Sequence, residues 1–378
     1  MTAPVDPISL CEIAAHGFHP RFIPPPRSRI LSGFVTREGV VKVPLRNLDT
    51  IAPIATCAVL FLFFSFITDS FLTRENLVNI LRQNSALAVM AVGVTFVLLT
   101  GEIDLSIEAM AILAGVVAAW LFNQMLAQFP GAPGPIAEFL PMAAAVAGAG
   151  VFGIAIGIGV SRIGVPSFMM TLALSLIATG LALWITSGSP IFNIQPSLAH
   201  VGTRSFEMIE RTRPNGTTYG LIEVPWISVV AAVFLFAAWI VLRYTRFGRN
   251  VYAVGGNRAA AELSGIPVAR TLTACFCICS MTAAIAGILW VGRMGSAQAG
   301  GLDQVLIQCV SGVVLGGTSL FGGKGGIGNT VIGVLTFGIL HNGLNHLDVN
   351  IYLKGSIMGA ILLAALVLNV SMARLRRV

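Results

Sequence analysis

The stretch Trp226-Ile-Ser-Val-Val-Ala-Ala-Val-Phe-Leu-Phe-Ala-Ala-Trp-Ile-Val-Leu-Arg243 decides the fold of this chain. It carries no charge before its final arginine, and its length suits an α-helix that crosses a hydrocarbon core of ~30 Å. Similar apolar runs recur from residue 50 onward. The predicted spans are 50–72, 78–100, 105–128, 139–161, 165–187, 225–243, 271–292, 305–320, 328–345 and 352–371. The sequence therefore predicts an all-α, polytopic integral membrane protein with about ten transmembrane or half-crossing helices.

Three of the ten spans are weaker predictions. The second run has Arg82, Gln83 and Asn84 near its start. The eighth and ninth runs are short for a full crossing, so either of them is a candidate half-crossing segment.

The composition excludes a soluble protein. Charged residues make up 10% of the 378 residues and hydrophobic residues 56%, whereas a soluble domain carries about a quarter charged residues. The formal net charge of +7 indicates loops that face the cytoplasm and anionic lipid. The sequence has no basic patch with interleaved aromatic residues, so nucleic acid is not an expected partner.

The distribution of Lys and Arg predicts the orientation. When the N-terminus is placed in the cytoplasm, the arginines of the tail 1–49, of the loop 244–270 and of the basic tail 372–378 all lie inside. The loop 188–224 is then periplasmic, and the membrane domain 50–371 begins and ends on the cytoplasmic side. Residues 1–49 are rich in Pro and Arg and are predicted to be disordered.

One short segment outside the spans is charged. Residues Arg243 to Arg270 gather five arginines against a single acid, Glu262. Within this segment, Tyr252–Ile266 predicts a short amphipathic helix that belongs to no membrane span. A positively charged helix kept in the aqueous phase between spans indicates contact with another protein.

Acidic residues mark the connection between the second and third spans. Glu102 and Asp104 lie in this connection, and Ser106 and Glu108 follow at the start of the third span. A carboxylate at bilayer depth costs ~2.5–3.5 kcal/mol on insertion scales. In one interpretation Asp104 or Ser106 caps the free N–H groups of the third span; in the other the loop is a re-entrant break that lines a translocation path. The two interpretations are compatible, and both stay open.

The run Gly316-Gly-Thr-Ser-Leu-Phe-Gly-Gly-Lys-Gly-Gly326 does not match a phosphate-binding loop. Counting back from Lys324 places Thr318 where the Walker A pattern needs its first Gly, and Gly325 stands where Ser or Thr must ligate Mg²⁺. We therefore predict that the chain does not hydrolyse ATP by itself. The residues predicted to form a tight cytoplasmic turn instead are Gly316, Gly317, Gly322, Gly323 and Lys324.

Neither a metal site nor an enzyme is predicted. Cys275, Cys277 and Cys279 form a Cys-x-Cys-x-Cys run, but on a helix Cys277 points away from the other two and no second ligand pair accompanies them. His341 and His346 are five residues apart and therefore do not stack on one helix face. The sequence shows no Ser/His/Asp arrangement or paired acids of the kind that an enzyme needs.

Three stretches together resemble the permease subunits of bacterial ABC importers for simple sugars, of the ribose, arabinose and xylose type. Thr100-Gly-Glu-Ile-Asp-Leu-Ser106 is similar to that family's Gly-(Gly)-Ile-Asp-Leu-Ser signature, and Tyr252–Ile266 is similar to its cytoplasmic loop. Leu315-Gly-Gly-Thr-Ser-Leu-Phe-Gly-Gly-Lys-Gly325, followed by Gly343-Leu-Asn345, resembles its C-terminal signature. The resemblance covers most of the membrane domain.

The resemblance implies a subunit that forms a pore as a homodimer or as a heterodimer with a second permease. It also implies a periplasmic sugar-binding protein, and a separate cytoplasmic ATPase that binds ATP and Mg²⁺, so no cofactor is expected in this chain. The segment Asn257–Gly265 would then be the coupling helix that rests in a groove of the ATPase. The residues implied to form this contact are Gly255, Gly256, Asn257, Arg258, Ala260, Glu262 and Gly265.

The chain departs from the family pattern in two places. Glu108 stands where Gly is common, and Leu302-Asp-Gln-Val-Leu-Ile-Gln308 stands where the family usually reads Leu-Asp-Ala-Ile-Ala-Ala. Both departures lie near positions that can line the translocation path. They therefore affect the prediction of which solute is carried more than the prediction of how transport works.

These observations predict a permease of the bacterial inner membrane for a monosaccharide or a similar small polyol. The alternatives are a permease for branched-chain amino acids or for a furanose-like signalling molecule and, in a different class, an ion-coupled secondary carrier. The largely uncharged spans argue against the carrier, because proton-coupled carriers place ionisable residues in mid-span.

Overall fold

The computed structural model describes residues 48–129, 131, 134–207, 210–212, 218–220, 223–302, 304–347, 349–350, 353–361 and 363. The predicted tails lie outside these residues, except that the first helix begins at Leu48. The helices are α1 (Leu48–Ile67), α2 (Arg74–Leu99), α3 (Ile107–Gln128), α4 (Gly134–Ile158, continued by a π-helical turn Gly159–Ile163), α5 (Ser167–Thr186), α6 (Pro196–Thr203), α7 (Trp226–Tyr244), α8 (Arg246–Gly256), α9 (Arg258–Leu263), α10 (Val268–Met294), α11 (Val305–Leu315), α12 (Ile327–His346) and a further helix, α13 (353–361).

The prediction of an all-α membrane protein is confirmed. Seven of the described helices are long and apolar enough to cross a membrane, namely α2, α3, α4 with its π-helical turn, α5, α7, α10 and α12. The eighth predicted span is α11, whose 11 residues rise only ~16 Å and suit a half-crossing. The half-crossing option for the ninth span was wrong, because α12 has 20 residues and rises ~30 Å.

The long loop 188–224 contains regular structure that the prediction did not include. It holds α6 and four three-residue strands: β1 (Ser205–Glu207), β2 (Glu210–Thr212), β3 (Thr218–Gly220) and β4 (Glu223–Pro225). β1 pairs antiparallel with β4, with Ser205 opposite Pro225, and β2 pairs antiparallel with β3. Strands this short leave little alternation of polar and apolar residues to read in a sequence.

α2 and α10 form the centre of the bundle. The buried share of the apolar window is 78% in α2 and 72% in α10, but only 17% in α5 and 22% in α7. α2 was the weakest of the full-length predictions because of the polar residues near its start. The structure places Arg82 beside the strands, where it lies 3.5 Å from Glu223 and donates to the Ser205 hydroxyl at 2.8 Å, whereas the Asn84 amide donates to the carbonyl oxygen of Ile80 within α2.

α10 touches its neighbours backbone to backbone. A Cβ on Gly287 would overlap the carbonyl oxygen of Ala111 in α3, and a Cβ on Gly93 in α2 would lie 2.6 Å from the Cα of Cys279 in α10. In a membrane, lipid tails are as apolar as side chains, so close packing between small residues holds helices together. The central helices are therefore positioned by glycine at their crossing points.

We expect Gly287→Ala to destabilise the bundle by about 1–3 kcal/mol, because the added methyl group forces α3 and α10 apart. Gly180→Ala is the matched control, since Gly180 also lies in a helix but a Cβ there meets no atom within 4 Å. Thermal unfolding of the two purified variants in detergent measures the difference. An unfolding midpoint of Gly287→Ala at or above that of Gly180→Ala would contradict the assignment.

Candidate functional site

The predicted amphipathic helix Tyr252–Ile266 is in fact two helices, so the single-helix prediction was wrong. α8 ends at Gly256 and α9 begins at Arg258. Asn257 between them is extended, with φ −161°, and its side-chain oxygen accepts from the N–H of Ala260 at 3.0 Å. Two glycines followed by Asn end one helix and cap the next, and this signal was present in the sequence.

α9 presents most of its surface to solvent. Ala261 is its only buried residue, and it packs in a small apolar cluster with Val254 and Leu272. Ala260, Glu262 and the other implied contact residues from Gly256 to Gly265 are exposed. The part of the chain that the sequence singled out for a partner is therefore accessible at one end of the bundle, which we call the α9 end.

Three loops that are distant in sequence meet behind α9. We call their meeting point the glycine junction, which consists of Gly101, Gly255, Gly322 and Gly323. The N–H of Gly323 donates to the carbonyl oxygen of Leu99, the last residue of α2, at 2.9 Å. A Cβ on Gly255 would overlap this same oxygen, and a Cβ on Gly322 would lie 2.8 Å from the N of Gly101 and from the O of Gly255. Three of the predicted motifs are thus joined backbone to backbone.

An ion pair also joins two of these loops, the connection after α2 and the start of α9. The carboxylate of Glu102 lies 3.1 Å from the guanidinium of Arg258, the first residue of α9. The exposed fraction is 16% for the Glu102 side chain and 48% for that of Arg258. Such an exposed pair contributes at most about 1 kcal/mol, so it orients α9 more than it stabilises the fold.

Asp104 and Ser106 hold the connecting loop instead of capping α3. The Asp104 carboxylate is buried and accepts from the N–H of Ser106 at 2.8 Å and from its hydroxyl at 2.6 Å. Ser106 is the N-cap residue of α3, but its side chain makes no capping bond to the helix. α5 holds the loop from the other side, since Thr171 accepts from the N–H of Leu105 at 3.1 Å. The capping interpretation was wrong in this detail, because the two side chains bond to each other.

The glycine-rich run forms a tight turn between α11 and α12. Gly316 caps the end of α11, and Gly317 has a left-handed φ of 99°. The N–H of Ser319 donates to the carbonyl oxygen of Lys324 at 3.0 Å, which closes the turn and leaves the Lys324 side chain exposed.

Glu108 binds the beginning of the half-length helix α11. Its carboxylate oxygen Oε2 accepts from the N–H of Leu306 at 2.9 Å, whereas the N-cap residue Gln304 supplies no side-chain bond. A carboxylate at a helix N-terminus meets free N–H groups and the positive end of the helix dipole. The contact joins α3 to α11 across almost two hundred residues of sequence.

This contact lies about halfway along the bundle. α3 crosses α10 where Ala111 meets Gly287, and Gly287 lies ~28 Å from the start of α10, which is ~40 Å long. Glu108 precedes Ala111 by about one helical turn. α11 therefore begins deep in the bundle and ends at the α9 end, as a half-crossing helix does.

Two exposed apolar side chains were missed as site residues. Leu263 at the end of α9 is 90% exposed, and Phe321 in the glycine-rich turn is 91% exposed. A large apolar residue among Glu, Ser and Gly outside the membrane was a signal available in the sequence. We call these two residues the apolar tips of the α9 end.

The cysteines lie within the helical core. Cys275 and Cys279 are buried on one face of α10 and Cys277 is half-buried on another, as helical spacing predicts. Among the described residues, no group of three or more His, Cys, Asp or Glu side chains lies close enough to hold a metal ion.

The architecture described above is that of a multi-pass membrane permease. A model of the family described as "Branched-chain amino acid transport system / permease component" matches residues 76–366. The chain belongs to this permease family, and it is a transport component of the inner membrane, not an enzyme.

Curated relatives agree with this assignment. The ribose import permease protein RbsC of Escherichia coli K12 is 37% identical over 311 residues, which cover 82% of this chain and 90% of the relative. The ribose import permease protein RbsC of Bacillus subtilis is 34% identical, covering 85% of this chain and 93% of the relative. The xylose transport system permease protein XylH of Escherichia coli K12 is 30% identical, covering 84% and 91%.

We expect Gly255→Ala to open the glycine junction, because the added methyl group collides with the last carbonyl of α2. Trypsin should then cut the purified protein after Arg258 at least about fivefold faster, as an overpacking cost of 1 kcal/mol or more implies. Gly256→Ala is the matched control, since a Cβ on Gly256 meets no atom within 4 Å. Equal cleavage rates in the two variants would show that the junction does not hold α9.

Proposed function

We propose that this chain is the transmembrane subunit of an ATP-driven importer that moves a monosaccharide or similar small polyol across the inner membrane. The family model carries a branched-chain amino acid name, but relatives with 30–37% identity are named for ribose and xylose. A sugar-like solute is therefore the better-supported cargo. The importer would also contain a periplasmic binding protein and a second permease copy or homologue.

The proposal places the energy source outside this chain. A cytoplasmic ATPase would bind ATP and Mg²⁺ and would contact the α9 end, with α9 as the coupling helix. The glycine junction is the observation that carries this step. It fastens the exposed α9 to the C-terminus of α2, and Glu102 and Arg258 fasten it to the loop before α3. A push on α9 is thereby transmitted as rigid-body motion to the central helices.

The apolar tips give the ATPase contact its binding energy. Leu263 and Phe321 expose nearly all of their side chains at the end of the bundle predicted to face the cytoplasm. Large apolar residues that fill partner pockets dominate the energy of protein contacts. The charged residues around them, Arg258, Glu262 and Lys324, would set the orientation of the partner.

The start of α11 is the proposed place where the solute passes. Half-length helices that begin inside the membrane commonly face the solute in transporters. Here the Glu108 carboxylate neutralises the positive end of α11, which disfavours anions. A carboxylate also accepts hydrogen bonds from sugar hydroxyl groups. The Glu that replaces the common family Gly would thus favour a neutral, hydroxylated solute.

Leu263→Asp and Phe321→Asp should each weaken ATPase binding, because each change places a charge in an apolar pocket of the partner. We expect co-purification of the ATPase with the permease to fall about tenfold or more, the size of a contact residue worth over ~1.4 kcal/mol. Phe192→Asp is the matched control, since Phe192 is 73% exposed but lies in the predicted periplasmic loop. Loss of ATPase in all three variants, or in none, would contradict the assignment of this surface.

Substitutions of Glu108 in the assembled transporter test whether this residue lines the solute path. Glu108→Gln keeps an oxygen that accepts from Leu306 but loses the charge, and Glu108→Leu loses both. A carboxylate at a partly buried helix N-terminus is worth up to ~2 kcal/mol, so we expect uptake to fall up to about thirtyfold, with leucine worse than glutamine. Labelled ribose and xylose uptake in proteoliposomes, with ATPase binding as the control, measures the effect. Wild-type uptake by Glu108→Leu would remove Glu108 from the path.

A further inference from the structure

A cavity of about 410 Å³ lies at the α9 end, between the end of α7, α8 and the start of α12. Its volume falls within the ~300–1,000 Å³ of small-molecule sites. The residues that define its chemistry are Trp239, Arg243, Arg249, Tyr252, Gly326 and Gly328. The mechanism proposed above does not use this cavity.

The cavity offers cations and hydrogen-bond donors. Arg243 and Arg249 line it, no carboxylate is among its lining residues, and the ion pairs of the described residues involve other arginines. A guanidinium carries five N–H donors in a fork that matches a phosphate group. These are the groups that recognise a phosphate anion.

The start of α12 adds a second source of positive charge. This 20-residue helix begins at Ile327, with no side-chain cap and no acid in its first turn. Its first N–H groups have no partner within the helix, and its dipole places positive charge at this end. The hydroxyl of Tyr252 donates to the carbonyl oxygen of Gly325 at 2.9 Å and so holds the preceding turn in place. Burial raises the pKa of this hydroxyl more than the nearby charge of Arg243 lowers it, so Tyr252 stays a neutral donor.

The opposite wall has the character of a membrane interface. Trp239 stacks on Phe236 at a centroid distance of 5.9 Å and meets Tyr244 edge-on at 5.4 Å. Such aromatic groups mark the level of lipid headgroups. Along α7, Val233 and Phe236 are each 61% exposed, so an apolar surface continues from the cavity along the outside of the bundle. A free anion would not bind to this apolar surface, whereas lipid acyl chains would pack against it.

We propose that this cavity binds the phosphate headgroup of an anionic phospholipid of the cytoplasmic leaflet. Arg243, Arg249 and the first N–H groups of α12 would hold the phosphodiester, and the acyl chains would lie along α7. The bound lipid would connect α7 and α8 with α12. The inference requires that the chain spans the membrane with the α9 end on the cytoplasmic side, and it is independent of the ATPase contact.

Lipid retention by the purified full-length chain tests this proposal. The chain is incubated with phosphatidylglycerol, phosphatidylcholine or inorganic phosphate, and bound lipid and the thermal unfolding midpoint are measured by native mass spectrometry and by a melting assay. We expect phosphatidylglycerol alone to be retained and to raise the midpoint. Equal retention of phosphatidylcholine, or a shift with inorganic phosphate and none with phosphatidylglycerol, would overturn the lipid assignment.

Removing two arginine charges inside the cavity, and in a second variant two arginine charges outside it, separates lipid binding at this site from general electrostatic attraction of anionic lipid. Arg243→Gln combined with Arg249→Gln should lower phosphatidylglycerol retention about tenfold or more, because charge-assisted hydrogen bonds are lost. Arg162→Gln combined with Arg270→Gln removes the same charge from exposed positions outside the cavity and should bind like wild type. Arg249→Lys keeps the charge and the fold but loses the guanidinium fork, and we expect intermediate retention. Equal retention by the two double variants would overturn the proposal.

Discussion

Close approach between helix backbones is the constraint on which the rest of this structure depends. In a bilayer the apolar side chains gain nothing by leaving lipid for protein, so contact between helices must come from tight packing. Gly287 lets α10 reach the backbone of α3, and Gly93 lets α2 reach the backbone of α10. These crossings place α2 and α10 at the centre and leave α5 and α7 on the outside. The bundle is therefore organised by its smallest residues.

The same constraint operates where the helices end. At the glycine junction, the ends of α2 and α8 and the turn before α12 come together with no side chains between them. A contact of this kind is stiff, because no rotamer can absorb a displacement. The ion pair between Glu102 and Arg258 is partly exposed, so it orients α9 but contributes little to the stability of the fold. The mechanical link from α9 to the centre of the bundle is thus a backbone link.

The N-termini of α11 and α12 differ in the sign of the charged side chains that lie beside them. The start of α11 is deep in the bundle and is bound by Glu108 of the same chain. The start of α12 is at the α9 end, has no acid in its first turn and lies beside Arg243 and Arg249. The first arrangement neutralises a positive helix end along the proposed path. The second leaves a positive helix end at the side of the bundle that is predicted to face the cytoplasm, where anionic lipid is available.

The sequence by itself determined the class of fold, since runs of about twenty uncharged residues can only be membrane helices. It also indicated the exposed segment near Glu262, because charge outside the spans stands out in a chain with so little of it. The break at Asn257 was signalled locally by the two glycines and the Asn, but the sequence could not show that the loops at Gly101, Gly255 and Gly322 touch, or that Glu102 pairs with Arg258. Those features depend on contacts between residues that are far apart in the chain, which no local pattern encodes. The bond from Glu108 to the start of α11 is of the same kind: its carboxylate was conspicuous in the sequence, but its partner exists only because α3 and α11 pack side by side.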